Sequence, residues 1–259
     1  MGRLVLSYDV VGDIAIVIVP PDLSHREAVI ARAIRETNKK IKVVAKRESD
    51  YQGEFRTLNL KIIGGEKRKE TVHKEFGIRL MLNLEKVYFS VRSSTERRRV
   101  AALVKPGENV LVMFSGIAPY PLYIDRFSEA SSISGIEKNP AAHRYAEQNL
   151  ILNRAQGKIR LYLGDVRQLC PQLGSRFDRV VMPLPKAGFE YVPAALSCLK
   201  NNGRMHFYTI QSADTINKTL RSLGHLSEEN GRRLTDAQTT ICGHTGPKDY
   251  RYCIDAVIS

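Results

Sequence analysis

Asn109-Val110-Leu111-Val112-Met113-Phe114-Ser115-Gly116-Ile117-Ala118-Pro119 decides the fold. The first half is an unbroken apolar run, and the second half breaks at Ser115-Gly116 ahead of a proline. A short run of this kind, bounded by turn residues, reads as a strand covered on both faces. The segment behind it is built like the first strand-to-helix turn of a nucleotide-binding sheet, where Gly116 would let a ligand approach the backbone.

Downstream the alternation repeats. Strands are expected at residues 110–114, 132–137, 160–163, 179–182 and 204–210, with helices at 140–153, 191–200 and 212–223. Strand and helix in turn imply a largely parallel sheet with helices on both faces. The end of the chain differs. Residues 238–242 and 250–258 are strand-like and flank Gly243-His244-Thr245-Gly246-Pro247, so a terminal hairpin is expected to place an antiparallel strand in the sheet.

Upstream the pattern is of another kind. Residues 13–19 are rich in β-branched side chains and stop at Pro20-Pro21, which reads as a buried strand. An amphipathic helix is expected over 24–38 with Ser24 as its cap. Residues 42–46, 57–63 and 70–73 then alternate like strands, with a turn at Gly64-Gly65. The expected organisation is a small α+β domain over residues 1–90 and a Rossmann-like α/β domain over residues 91–259.

The 259 residues, 43% of them hydrophobic, suffice for one large core or two modest ones. No apolar run approaches the roughly 20 residues of a membrane span. Met1-Gly2-Arg3-Leu4-Val5 runs straight into strand-like sequence, so a cytoplasmic protein without a targeting segment is expected, with no membrane partner. Cys170, Cys198, Cys242 and Cys253 form no close pair and have no neighbouring histidine in the sequence, which argues against a metal site and for thiols in a reducing compartment. The net charge is +13, and Lys+Arg outnumber Asp+Glu by 22 to 13 up to Lys105 but only by 18 to 14 beyond it. A basic half of this kind attracts a polyanion, with binding that falls steeply as salt rises. No internal repeat or low-complexity tract is present.

Ligands of an open α/β sheet lie beyond the carboxyl ends of the strands, so three loops matter most. Phe114-Ser115-Gly116-Ile117-Ala118-Pro119 offers close backbone approach. Glu137-Lys138-Asn139-Pro140 ends a strand in a carboxylate suited to ribose hydroxyls. Gly164-Asp165-Val166-Arg167 offers an amide or a carboxylate to an adenine, although Asp165 equally suits a helix cap. No glycine-rich dinucleotide fingerprint and no phosphate loop is present. Acidic residues at successive strand ends, together with the terminal hairpin, favour S-adenosylmethionine. The expected cofactor contacts are Phe114, Gly116, Glu137, Lys138, Asp165, Val166 and Pro183.

Just ahead of the deciding stretch lies Arg92-Ser93-Ser94-Thr95-Glu96-Arg97-Arg98-Arg99, a lone carboxylate among four arginines. It reads either as a capped helix with solvated arginines or as chemistry on a nucleic acid. Together with Gly53-Glu54-Phe55-Arg56, Met113-Phe114-Ser115-Gly116, Ile136-Glu137-Lys138-Asn139-Pro140, Gly164-Asp165-Val166-Arg167, Leu184-Pro185-Lys186 and His206-Phe207-Tyr208-Thr209, it resembles the archaeal and eukaryotic type of tRNA guanine-N1 methyltransferase and its relative, the wybutosine-pathway aminocarboxypropyl transferase. The resemblance runs from about Gly12 to the end of the chain.

It implies a class I methyltransferase domain and a tRNA-binding N-terminal domain in a monomer. The implied target is the guanine immediately 3′ of the anticodon. Glu96 is implied as the base for the N1 proton and Arg56 as the cation for charge on O6, with Arg92, Arg97 and Lys186 contacting RNA. The matches at Thr95-Glu96, Leu184-Pro185-Lys186 and Tyr208-Thr209 favour the methyltransferase branch, whereas the short chain, without room for a tRNA-elbow domain, is similar to the other branch. Three positions depart from the family: Val112 replaces an acidic residue, Ala118 a glycine and Pro183 an asparagine. A tRNA-binding protein that has lost catalysis would also carry such changes.

Overall fold

The structure is a computed structural model that describes residues 8–259, so the strand-like reading of Met1 to Val5 lies outside the described residues. The chain forms two compact units, one ending at Val91 and the other running from Arg92 to Ser259.

In the first unit, β1 (Tyr8–Val11), β2 (Ile14–Val17), β3 (Val43–Arg47) and β4 (Leu60–Gly65) form one sheet in that order. β2 and β3 are parallel and are joined through α1 (Glu27–Thr37), while the outer pairs are antiparallel. Ala31 and Ile34 of α1 close the core over Ala15, Val17 and Val44.

Ser24 does not cap this helix. It lies in a 3-10 turn, Pro21–Arg26, and α1 starts one turn later without a side-chain cap. Nor do Gly64 and Gly65 form a turn; they end β4, paired with Val44 and Val43. Gly64 is there for clearance, because a Cβ would come within 2.6 Å of the Ala31 Cβ. A second small sheet, absent from the sequence expectation, pairs β5 (Glu70–Glu75) with β6 (Ile78–Asn83) across Phe76-Gly77, both in the left-handed region. In the basic run Lys67-Arg68-Lys69, Arg68 is paired with Asp13 and Glu66, and Lys69 with Glu85.

The second unit carries a seven-stranded sheet. Its strands are β7 (Asn109–Met113), β8 (Ser132–Glu137), β9 (Ile159–Leu163), β10 (Phe177–Met182), β11 (Leu199–Ser212), β12 (Leu234–His244) and β13 (Asp249–Ile258). The order is β12-β13-β11-β10-β7-β8-β9, parallel from β9 to β11, with β13 antiparallel to both its neighbours. This is the Rossmann-like class with the expected terminal hairpin.

Val110 to Met113 and Val180 to Met182 are fully buried, as strands covered on both faces require. Helices α2 (Ser94–Leu103), α3 (Pro119–Phe127), α4 (Pro140–Asn153), α5 (Val166–Leu173), α6 (Val192–Cys198) and α7 (Ile216–Glu229) accompany the sheet. α3 and α5 escaped the sequence reading because they are only 9 and 8 residues long and each carries proline. No helix among the described residues is long and apolar enough to cross a membrane.

Candidate active site

From β7 the chain steps outward through β8 and β9, then returns to lay β10 and β11 on the other side. The crevice where the direction reverses lies at the carboxyl ends of β7 and β10. Phe114, Gly116 and Ala118, in the loop after β7, all have positive φ, at 53°, 56° and 66°. The Ser115 amide donates to Ile136 O at 2.9 Å, and Asn149 Nδ2 donates to Ile117 O at 3.1 Å, so β8 and α4 pin the loop from two sides. A Cβ added at Gly116 would meet nothing within 4 Å, so this backbone faces open space.

Ala118 is buried and left-handed. That region costs an L-residue roughly 1–2 kcal/mol. Ala118→Gly is expected to stabilise the protein by about 1 kcal/mol, a rise of about 2–4 °C in the thermal midpoint. A lower midpoint would mean that the methyl packs better than its backbone strains. Val112 sits within β7 between Val181 and Gly135, fully buried in the sheet.

Glu137 ends β8 with its carboxylate on peptide amides: Oε2 accepts from Gly116 N and Oε1 from Asn139 N, both at 2.7 Å. Burial pushes this carboxyl up from its ordinary value, against the pull of the Asn139, Gly116 and Lys138 amides. An acceptor-only carboxylate fixed in this loop suits ribose hydroxyls and fits S-adenosylmethionine. Glu137→Gln is expected to weaken S-adenosylmethionine binding about tenfold, because charged acceptors bond roughly twice as strongly as neutral ones. Isothermal titration would check it, and an unchanged affinity would remove Glu137 from the pocket.

Asp165 is a helix cap in this structure, accepting from Arg167 N at 2.9 Å and paired with Arg167 and Lys138 at 2.8 and 3.2 Å. The Arg167 hydrogen bond holds its carboxyl well below the ordinary value, against the effect of burial. The neighbouring Val166 amide opens α5, where no intrahelical acceptor is in reach. Phe114 meets Tyr191 edge-on at 4.8 Å. Pro183, just past β10, centres a three-residue turn closed by Leu184 N to Met182 O at 2.8 Å, a conformation its ring suits. Lys186 is exposed beyond it.

Glu96 lies in the first turn of α2 and is 5% exposed. Arg99, one turn on, donates through Nε to Oε2 at 2.7 Å and through Nη2 to Oε1 at 2.8 Å. The Tyr208 hydroxyl also donates to Oε1, and Tyr120 donates to Tyr208 at 2.9 Å. Arg99 reaches on to Asp255, which binds His206, and His206 meets Arg179 at 2.7 Å.

Because an arginine only donates, His206 Nε2 accepts there and Nδ1–H donates to Asp255. Burial lowers the pKa of this imidazole, and the adjacent Arg179 charge adds to that against the pull of Asp255. His206 is thus a satisfied core histidine, and Cys253 has a histidine neighbour that its sequence position did not show. His206, Cys253 and Asp255 bring three ligand atoms within 4.8 Å of one another. Two guanidiniums flank that cluster, and Asp255 is already committed to one of them, an environment that repels a cation.

Arg97 is 2% exposed with its guanidinium over the Tyr123 ring, whereas Arg92 is exposed in the turn before α2. Arg56 belongs to the first unit. It takes a left-handed φ of 50° in the turn after Gly53, and its guanidinium lies 4.2 Å from the Tyr88 ring centre. No individual role was legible in the sequence for Arg99, Tyr208 or Asp255: the first two stood inside motifs that carry the family resemblance, and the one signal for Asp255 was the terminal hairpin, whose register sets it opposite His206.

Known proteins were compared with this arrangement. The TRM5/TYW2 methyltransferase domain matches residues 71–235, and the TYW2 N-terminal domain matches residues 1–68. The chain is 34% identical to the tRNA (guanine(37)-N(1))-methyltransferase Trm5b of Pyrococcus abyssi, over 98% of this chain and 75% of that protein. The crystal structure of that Trm5b superposes with a TM-score of 0.88, covering 99% of this chain and 76% of the other. A tRNA(Phe) (4-demethylwyosine(37)-C(7)) aminocarboxypropyltransferase of Methanocaldococcus jannaschii is 30% identical, over 97% of each chain. The structure of M. jannaschii TYW2 in complex with AdoMet shares the fold, at a TM-score of 0.77 and 23% identity over 98% of this chain and 99% of that one. With the domain matched over residues 71–235 and relatives aligned nearly end to end, this chain belongs to the TRM5/TYW2 methyltransferase family.

Proposed function

We propose that the protein methylates N1 of guanine-37 in tRNA, with Glu96 taking the N1 proton and Arg56 facing the charge that develops on O6. The observation that carries this reading is the state of the Glu96 carboxylate. Oε1 is filled by Arg99 and Tyr208, but Oε2 accepts only from Arg99 Nε and keeps a lone pair for a proton. Guanine N1 is protonated at neutral pH, so alkylation needs a base, and the electron density pushed toward O6 needs a cation. The sulfonium cofactor supplies an electrophilic methyl group. Phe114, Gly116, Glu137, Val166 and Pro183 hold it at the carboxyl edge of the sheet, with Lys138 and Asp165 bracing the loops.

The first unit binds tRNA on this reading, and Arg92 and Lys186, both exposed, meet RNA phosphates. Arg97 is assigned instead to the packing of α2, because its guanidinium is buried over Tyr123. The target base leaves its stack to be reached.

Aminocarboxypropyl transfer is the second reading. It is favoured by the TYW2 N-terminal match over residues 1–68 and by the 30% identity to an aminocarboxypropyltransferase. The two differ in which carbon on sulfur is attacked. Purified protein with tRNA and S-adenosylmethionine labelled on the methyl or the carboxyl carbon, followed by nucleoside analysis, decides between them. Methyl label in 1-methylguanosine supports the first reading and carboxyl label the second. No transfer with tRNA still bound would make the protein a binder without catalysis.

A further inference from the structure

The side chain that holds Glu96 is itself held. Arg99 lies between two carboxylates, on Glu96 through Nε and Nη2 and on Asp255 through Nη1 at 2.6 Å and Nη2 at 3.2 Å. Asp255 comes from β13, far along the chain, and is fixed in turn by His206 Nδ1 and by the Cys253 thiol at 3.2 Å. We propose that Asp255 is a positioning residue for group transfer, acting on Glu96 through Arg99; the inference rests on Glu96 being the base.

Two consequences follow from a guanidinium shared in this way. Its fork geometry fixes the plane of both carboxylates at once, so the free Oε2 lone pair of Glu96 keeps one direction. A cation divided between two anions also draws less on each. Four titratable groups around Glu96 are neutral: Tyr208 from β11, Tyr120 from α3, Cys253 from β13 and Cys242 from β12 all have pKa values raised, chiefly by burial. Arg97, the next residue of α2, is buried with its guanidinium over the Tyr123 ring, whereas Arg99 bonds the carboxylate itself, and Asp255 is its counterweight. Burial would raise the Asp255 carboxyl, but the bonds from His206 and Arg99 outweigh it and hold it ionised, well below its ordinary range.

The test is single-turnover transfer to unmodified tRNA at saturating S-adenosylmethionine, measured from acid to alkaline pH. Asp255→Asn should lower the rate about 10–100-fold and leave the tRNA concentration dependence unchanged. Asp255→Glu should restore most of the rate. Arg99→Lys, which keeps the charge but loses the planar fork that fixes both carboxylates, carries the same expectation and stands in if Asp255→Asn does not fold. Glu108→Gln, which weakens the neighbouring buried pair with Arg179 without touching Arg99 or Asp255, should lower the melting temperature and leave the rate alone.

A parental rate in Asp255→Asn, or an equal loss in Glu108→Gln, would overturn the proposal. Glu96→Gln in the same assay separates the two layers of argument. If it is inactive while Asp255→Asn is not, only the positioning role falls; if it keeps the parental rate, the base assignment falls with it.

Discussion

Glu96→Gln is expected to lower the single-turnover rate of methyl transfer by about 10²–10⁴-fold, the usual worth of a positioned general base. Binding of tRNA and of S-adenosylmethionine should stay within about twofold, because an interaction made only in the transition state is lost from the rate and not from affinity. The substitution keeps the shape of the side chain, and one oxygen can still accept from Arg99. It replaces one carboxylate oxygen by an NH2 donor that faces an Arg99 donor from either position, and the oxygen that remains is neutral and a far weaker base.

A purely architectural role would also impair the enzyme, so the pH dependence is the decisive part. At alkaline pH guanine N1 ionises without help, and the deficit of the variant should narrow there. A constant deficit at every pH, or an equal loss of tRNA binding, would assign Glu96 to the scaffold of α2 and not to the chemistry.

The largest effect on stability is expected from Arg179→Met. Arg179 lies within β10 with a side chain 1% exposed, and all three of its guanidinium nitrogens are engaged in one small volume. Nε and Nη2 bind the two Glu108 oxygens at 2.7 and 3.0 Å, Nη2 also binds Leu103 O at 2.6 Å, and Nη1 meets His206 Nε2 at 2.7 Å. Methionine fills much of the same space and leaves the Glu108 carboxylate, 11% exposed, without its cation.

Breaking a buried pair from one side costs about 3–5 kcal/mol, since an unpaired charge stays in a poor solvent. For a domain of this size that is a fall of about 6–20 °C in the thermal midpoint. Arg179→Met with Glu108→Leu should recover much of the loss, because replacing both partners removes the stranded charge. A double variant as unstable as the single one would show that the cluster matters for packing rather than for charge.

The two predictions concern residues of unequal legibility. Glu96 stood out as a carboxylate inside an arginine run, and its family context suggested a role. Arg179 had no such signal. In a strand whose neighbours are valines it could have pointed to solvent, and only the partners brought by β7, β11 and α2 explain a buried guanidinium. His206 is an intermediate case: a histidine within an apolar strand is expected to be satisfied, but the identity of Asp255 and Arg179 as its partners depends on strand order and register.

Errors in the sequence reading have local causes. Gly64-Gly65 looked like a turn because glycine pairs usually are, yet the first glycine exists to admit Ala31. Ser24 looked like a cap, but Pro21 starts a 3-10 turn that delays the helix. β6 was lost because a hairpin turn with phenylalanine at positive φ has no strong sequence signal.

The sequence by itself determined what depends on neighbours along the chain: the doubly covered strands from their unbroken apolar runs, the strand-helix alternation that makes the sheet parallel, the antiparallel close, and the glycine and acidic residues at the strand ends. Those features follow from periodicity and turn chemistry, which act over a few residues. Only the tertiary structure decided that Asp255 counterbalances the arginine on Glu96, that Tyr208 fills one oxygen and leaves the other open, and that Asp165 spends its carboxylate on a cap. Each of these requires side chains from separate strands and helices to share one poorly solvated volume, where every donor and acceptor must find a partner, and no spacing along the chain specifies which partner that will be.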